Sequence, residues 1–324
     1  MKCLALLSGG LDSILAVRVI QEQNIEVIGL TFVTPFFGPA SARKAAAQLG
    51  IRLVEHDFTE RYFEMMRKPR YGFGGNMNPC IDCHGLMLNT AHGLLEQQGA
   101  SFLVTGEVLG ERPMSQTRPG LNAVLKLAVD RDLILRPLSA KLLDPTKPER
   151  EGWVDRERLL DLSGRGRKRQ AGLAKEYGIT DYPQPAGGCL LTDVKFSQRL
   201  KELMAHQGLV REDIVLLRTG RHFRIGSATK LVIGRNQQEN QDILDQKAPG
   251  DSIVRPEEDM KGPVGLVRGP IDQEILTLSA DVFSRYCDAG PGHPVKVNIY
   301  GPDGRKQALE VTRADDNFVG KWMI

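Results

Sequence analysis

The sequence predicts an α/β fold: a doubly wound, mostly parallel sheet, followed by a second, smaller β-rich domain. Three observations predict it. Short apolar runs alternate with helical spacings through the first 140 residues. A Gly-Gly turn joins the first run to the first helical pattern. Beyond about residue 210 the apolar runs shorten, and Gly, Pro and Asp turns separate them.

Taken in order, KCLALL (2–7) reads as the first strand, and Leu11, Ile14, Leu15, Val17 and Val19 have broadly helical spacing. EVIGLTFVT (26–34) is β-rich. SARKAAAQLG (41–50) is helical and stops at Gly50, and IRLVEHDFT (51–59) is the next strand. NTAHGLLEQQG (89–99) reads as a helix, SFLVTGE (101–107) and DLILRPLS (132–139) as strands. Open sheets of this kind bind ligands at the carboxyl ends of their strands, where Ser8, Thr31, Asp57 and Thr105 fall. Two helices are expected over 153–178, an irregular stretch over 182–190, and a helix around 194–207. HFRIG, KLVIG, SIVRP, GPVGLVRG, ILTLSADVFS and PVKVNIYG then read as short β segments. The expected organisation is a nucleotide-binding catalytic domain over 1–180, a linker and helix over 181–209, and a β-rich domain over 210–324.

With 41% hydrophobic and 26% charged residues among 324, the chain is neither a disordered tail, a collagen nor a small disulfide scaffold. No apolar run approaches the ~18 residues of a membrane span, so no membrane association is expected. The apolar N-terminus meets a glycine turn at once and reads as a strand rather than a signal peptide; the expected location is the cytoplasm. The net charge is only +3, but between Lys141 and Lys175 ten Lys/Arg face six Asp/Glu, focused in RGRKR (165–169). That run suits either a solvated helix face or a nucleic-acid contact. The five cysteines are Cys3, Cys80, Cys83, Cys189 and Cys287; one C-x-x-C in such a chain suggests metal or redox chemistry over structural disulfides.

SGGLDS (8–13) lies between a strand and a helix. Gly9 and Gly10 let the backbone approach a phosphate, the helix start offers unpaired N–H groups, and Ser8 and Ser13 add hydroxyls. Asp12 suits a magnesium or water partner beside the phosphates. The hexapeptide resembles the SGGxDS loop of PP-loop ATPases, which cleave ATP to AMP and pyrophosphate. The resemblance implies ATP and Mg2+ as cofactors. Thr31 and Phe32 are placed at the adenine, and Gly106, in the turn after SFLVT, joins the nucleotide-binding set.

NPCIDCH (78–84) resembles the NPDxxCN-type segment of tRNA 2-thiouridylases, with Cys80 and His84 where that family has Asp and Asn. The resemblance implies a catalytic role for Cys83. PAGGCLLTD (185–193) resembles the segment of the second catalytic cysteine, which implies the same for Cys189. TGEVLGERPMSQT (105–117) and ILRPL (134–138) look more like 4-thiouridine synthetases. Three readings of the cysteines stay open. Cys83 and Cys189 do persulfide chemistry, one carrying sulfur and the other resolving it. Alternatively Cys80, Cys83 and Cys189 hold a 4Fe–4S cluster, the favoured reading, as in the cluster-dependent branch of tRNA thiolases. Or the group, with His84, binds zinc. Cys3 and Cys287 read as buried core residues, and His56 and His92 as structural.

RHFRIGSATKLVIGRNQQENQDIL (221–244) and GPVGLVRGP (262–270) resemble the NFACT RNA-binding domain. Arg218, Arg221, Arg224, Lys230 and Arg235 cluster there, with His222 and Phe223 interleaved for stacking. Together the resemblances imply an ATP-dependent tRNA sulfurtransferase. It would adenylate a uridine and replace its oxygen by sulfur, 4-thiouridine being favoured and 2-thiouridine the alternative. Its partners are tRNA and a sulfur donor. The rival readings are an RNA-binding quality-control factor with a degenerate nucleotide domain, and a PP-loop enzyme acting on a small molecule.

Overall fold

The structure, a computed structural model, describes residues 1–183 and 189–324. They form two compact units, Met1–Leu190 and Leu191–Ile324.

The first unit runs β1 (Lys2–Leu6), α1 (Leu11–Gln21), β2 (Glu26–Val33), α2 (Ala40–Leu49), β3 (Leu53–Asp57), α3 (Thr59–Arg67), α4 (Cys80–Gln98), β4 (Phe102–Val104), α5 (Arg118–Leu127), β5 (Ile134–Leu135), α6 (Lys147–Arg150) and α7 (Lys168–Glu176). Its sheet has the order β3-β2-β1-β4-β5, and every pairing is parallel. One helix group joins α1, α2 and α7, the other α3, α4 and α5, and both reach β1. This is the doubly wound arrangement that the sequence predicts. The central strands explain the unbroken apolar runs: Cys3, Leu4 and Ala5 of β1 and Phe102, Leu103 and Val104 of β4 are all buried. Gly50 and Gly99, at φ +65° and +62°, end α2 and α4 in the left-handed conformation a helix stop favours.

Three expectations fail in detail. WVDRERLLDLSG is not a helix. Only Arg156–Arg158 makes a single 3-10 turn, capped by Asp155, and the Leu160 and Leu162 N–H groups donate to Pro137 and Leu138 carbonyls instead of to a helix. Val154, Leu159 and Leu162 still reach the core, which is why the stretch looks periodic. Within DLILRPLS only Ile134–Leu135 pairs as a strand. In the second unit, ILTLSADVFS is a helix. Asp272 caps it by accepting from Ile275 N, and its apolar residues bury one face at Ala280, Val282 and Phe283. Its β-branched and aromatic content mimics a strand.

The second unit contains α8 (Val194–His206), α9 (Arg211–Leu216), β6 (Arg221–Arg224), β7 (Lys230–Ile233), α10 (Gln237–Asp245), β8 (Ser252–Pro256), β9 (Gly265–Arg268), α11 (Gln273–Ser284), β10 (Pro294–Tyr300), β11 (Lys306–Thr312) and α12 (Asp316–Gly320). Its strands form a wholly antiparallel sheet of order β11-β10-β8-β9-β7-β6. Phe223, Val254, Val267, Phe283 and Val297 make one core, while Leu216, Val232, Ile243, Ile253 and Leu266 make a second. Among the described residues no helix is long and apolar enough to cross a membrane.

Candidate active site

β2 and β3 lie on one side of β1, and β4 and β5 on the other. The chain therefore changes direction at β1, and a crevice opens outside the carboxyl ends of β1 and β4. A cavity of about 380 Å³ fills it. Its wall includes Ser8, Gly10, Asp12 and Ser13 of the glycine loop, Thr31 and Phe32 from β2, and Thr105, Gly106 and Glu107 beyond β4. His84, Arg112 and Arg167 also line it.

Each glycine has its own duty. Gly9, at φ +81°, turns the loop against α2: a Cβ there would sit 2.4 Å from the Ser41 carbonyl oxygen. Gly106 lets the β4 turn touch the loop, since its Cβ would meet Ser13 N at 2.6 Å. Gly10 faces open space, with Ser8 Oγ at 3.5 Å the nearest atom to an added Cβ. Gly10 also begins α1 without a side-chain cap, so the N–H groups of the first turn stay available to an anion. Ser13 Oγ donates to Gly10 O at 2.8 Å and fixes the turn.

Asp12 faces Arg167, whose Nη2 donates to Asp12 Oδ2 at 2.7 Å and whose Nε donates to Glu111 Oε1 at 3.0 Å. Burial and the adjacent Asp12 charge raise the Glu111 carboxyl above its usual range. The remaining oxygens, Asp12 Oδ1 and Glu111 Oε2, are buried without a hydrogen-bond partner. Two such oxygens beside the glycine loop fit a magnesium ion, which takes one or two carboxylates and completes its shell from other oxygens and water. Arg167 reaches the site because Gly164 N donates to Leu109 O at 2.7 Å, tying its segment to the loop that carries Glu111.

The first turn of α4 carries the C-x-x-C. Asp82 pins it by accepting from Arg70 N and Tyr71 N at 2.8 and 2.9 Å. Cys80 lies 3.3 Å from Ser115 Oγ and hydrogen-bonds to His84 one turn on. His84 Nδ1 meets Glu107 Oε1 at 2.8 Å, and Arg136 Nε donates to Glu107 Oε2 at 2.8 Å. Burial alone would raise Glu107; Arg136 and His84 override it and hold the carboxyl at about 2. Burial disfavours the imidazolium, but the bonds to Cys80 and Glu107 bring His84 up to about 10. Burial likewise opposes the Cys80 thiolate, and His84 and Ser115 outweigh it, lowering that thiol. Cys83 is the opposite case. Burial pushes its thiol up, despite a hydrogen bond to Tyr62. Burial also raises Cys3, and raises Cys287 to about 12, as expected of inert core thiols.

Cys189 is exposed and lies within electrostatic range of Cys83 and Tyr62; residues 184–188 before it, including the Gly-Gly, lie outside the described residues. Among the described residues no three Cys, His, Asp or Glu are arranged to hold one ion.

In the second unit the basic cluster is largely engaged. Arg224 and Lys230 pair with Glu202 of α8 at 2.5 and 2.8 Å, and Arg235 pairs with Glu239. His222 and Phe223 are buried, so Phe223 is a core residue and cannot serve as a stacking platform. Arg221 instead lies 4.6 Å from the Tyr286 ring centroid, with Arg285 at 6.0 Å. Of RGRKR, Arg167 lines the cavity and Arg169 pairs with Asp161.

Sequence reasoning missed Arg167, Glu111, Glu107 and Arg136 as site residues. In the sequence Arg167 is one cation of the basic run 165–169, and the others lie inside TGEVLGERPMSQT and ILRPL, which carry no sign of their partners.

Residues 1–142 match the family model described as thiamine biosynthesis protein (ThiI), and residues 220–323 match that of the NFACT protein RNA binding domain. The tRNA-specific 2-thiouridylase MnmA of Pelobacter propionicus is 30% identical over 161 residues, covering 44% of this chain and 43% of that protein. Its counterpart in Sulfurimonas denitrificans is 35% identical over 123 residues, 33% of this chain and 35% of that protein. The chain thus spans less than half the length of these relatives. A 4-thiouridine synthetase–RNA complex with bound ATP is 26% identical, with a TM-score of 0.36, over 43% of this chain and 37% of that one. The two resemblances read from the sequence, to tRNA thiouridine synthases and to the NFACT domain, both hold.

Proposed function

We propose that this chain is an ATP-dependent tRNA thiolation enzyme. The observation that carries this reading is a cavity whose wall joins the glycine loop to His84 and Glu107, with Cys80 one helical turn before His84. ATP lies with its adenine near Thr31 and Phe32 and its phosphates on Ser8–Ser13. Asp12 and Glu111 would hold magnesium, which when bound offsets phosphate charge. Arg167, released from these carboxylates, is free to turn to the phosphates. The uridine oxygen attacks the α-phosphorus; an O–P bond forms, the bond to the β-phosphate bridging oxygen breaks, and pyrophosphate leaves. The ring carbon now carries AMP, a far better leaving group than the original oxygen. A sulfur nucleophile adds there and AMP departs. Walls such as Phe32 and Leu88 keep water from the adenylate, whose hydrolysis would return uridine.

Sulfur comes through the group Cys80, Cys83 and Cys189, as a persulfide carried by one thiol and resolved by another. A 4Fe–4S cluster on the same cysteines is supported by their identity and spacing. Anaerobic purification separates the two: a brown protein absorbing near 420 nm speaks for the cluster, a colourless active one for thiol chemistry. The favoured product is 4-thiouridine, on the likeness of residues 105–117 to 4-thiouridine synthetases, with 2-thiouridine as the alternative. The second unit supplies RNA affinity. The deciding experiment is mass spectrometry of tRNA nucleosides from a deletion strain. Loss of one thiouridine identifies the reaction and the position; an unchanged nucleoside profile overturns the proposal.

A further inference from the structure

The C-x-x-C is arranged unequally, and only one of its thiols has an imidazole one helical turn on. Cys80 opens α4, where the first-turn N–H groups face outward, and it sits one turn before His84. The His84 ring is held by Glu107 at 2.8 Å through Nδ1, which leaves the other ring nitrogen for the thiol. Glu107 is held by Arg136 at 2.8 Å and by the Thr105 hydroxyl at 3.2 Å. Glu107 and Arg136 are only 6% and 4% exposed, so the ring is fixed from behind by groups that have no freedom to move. His84 and Glu107 both line the cavity. Cys83 instead faces Tyr62, which is itself 1% exposed, and the carboxylate near it, Asp82, is taken up by Arg70 N and Tyr71 N.

We infer that Cys80, rather than Cys83, is the thiol that carries the transferred sulfur, with His84 as its proton partner, Glu107 and Arg136 as positioning residues, and Cys83 as the resolving thiol. This rests on the thiolation reading above. The Cys80 thiolate attacks the outer sulfur of an external persulfide; that S–S bond breaks, and the donor leaves as a thiolate that takes the proton of the His84 imidazolium, which leaves the ring neutral. The new Cys80 persulfide, its proton passed to His84, attacks the adenylated ring carbon and displaces AMP. Cys83 then attacks Cys80 Sγ. The S–S bond breaks, the outer sulfur remains on the ring as the thiocarbonyl, and a Cys80–Cys83 disulfide forms. An external dithiol reduces it by two electrons for the next turnover.

The test needs neither ATP nor tRNA. The full chain is treated with inorganic polysulfide, alkylated, digested and read by tandem mass spectrometry for the cysteine that carries an added sulfur. Cys80 should be labelled at least ~10-fold faster than Cys83, and His84→Gln should slow that labelling by ~10²-fold, the lower range for a lost general acid–base partner. Cys83→Ser should leave the Cys80 persulfide longer-lived. Added sulfur on Cys83 or Cys189 with Cys80 bare overturns the inference, and so does equal labelling in His84→Gln of unchanged melting temperature. The wild-type labelling site decides the question even where a variant fails to fold. Cys80 labelling in a chain whose loss leaves every tRNA thiouridine intact would keep the inference about the thiol and sink the thiolation reading instead.

Discussion

Two single-methyl substitutions separate packing from phosphate recognition in the glycine loop. In Gly106→Ala the new Cβ would lie 2.6 Å from Ser13 N and Cα and 2.7 Å from the Asp12 carbonyl carbon. That falls about 0.8 Å short of the 3.4 Å at which ordinary contact begins, and the obstacle is backbone, which cannot swing aside. The β4 turn and the start of α1 must separate by nearly that distance. Overpacking of this kind costs ~1–3 kcal/mol. At ~2–4 °C per kcal/mol for a unit of this size, the melting temperature should fall by about 2–12 °C. Misplacing the loop by ~1 Å should also cost ~10²-fold in the rate of pyrophosphate release. Gly10→Ala is the control: its φ is −76° and its Cβ meets nothing closer than Ser8 Oγ at 3.5 Å. The fold should melt unchanged, yet ATP affinity should drop by ~10-fold or more, because a methyl now occupies the surface a phosphate approaches. Calorimetric ATP titration and thermal melting of both variants give the four numbers. Wild-type ATP affinity in Gly10→Ala would show that no phosphate comes to this loop. Unchanged melting in Gly106→Ala would refute the close contact between β4 and α1.

Arg167→Ala leaves Asp12 and Glu111 facing each other without their shared cation, at a cost of ~1–3 kcal/mol; millimolar magnesium should restore the lost melting temperature, and no recovery would mean these carboxylates do not hold it. His222 is buried, and desolvation keeps its pKa well below the ordinary 6.5. The unfolded chain therefore takes up a proton that the folded one refuses as pH falls below 6.5, and stability should drop by up to ~1.4 kcal/mol per pH unit. His222→Gln should flatten that limb in urea melts between pH 6.5 and 5, and an identical slope would show that this group is not responsible. In RNA binding, Arg221→Ala should reduce the salt-dependence slope by about 0.7–0.9. Arg224→Ala, by contrast, should lower the melting temperature by stranding Glu202 and leave the slope alone; the reverse pattern would overturn the division between them.

The parts of this molecule that were legible in its sequence are those whose physics is local. β1, the Ser8–Ser13 loop and α1 follow one another within twenty residues, and a buried strand, a glycine at positive φ and an apolar helix each leave their own mark. Local composition also misleads. ILTLSADVFS has the residues of a strand and the cap of a helix, and the cap at Asp272 prevails. WVDRERLLDLSG has helical spacing, but its backbone bonds go to Pro137 and Leu138. The site itself is long-range. Arg167 and Asp12 are 155 residues apart, and Arg136 and Glu107 are 29 apart. No spacing rule connects such pairs, so Arg167 looked like one more cation in a basic run. The same holds for Arg224 and Lys230, whose shared acid, Glu202, sits on a helix before the domain the sequence suggested.

Helix α4 has a consequence for how the reactive group tolerates change. Thiol, second thiol and imidazole occupy positions 80, 83 and 84 of one rigid rod, so their mutual spacing is set by helical pitch and not by any loop. At 3.6 residues per turn, one residue added between Cys80 and His84 rotates the imidazole by ~100° away from the sulfur. The same residue added ahead of Pro79 carries all three along as a block. The trio is thus a cassette written in consecutive sequence, while the carboxylate and guanidinium behind it are scattered. Such a cassette can be moved whole to another helix start, where it would lack the backing of Glu107 and Arg136 and the contacts of Ser115 and Tyr62.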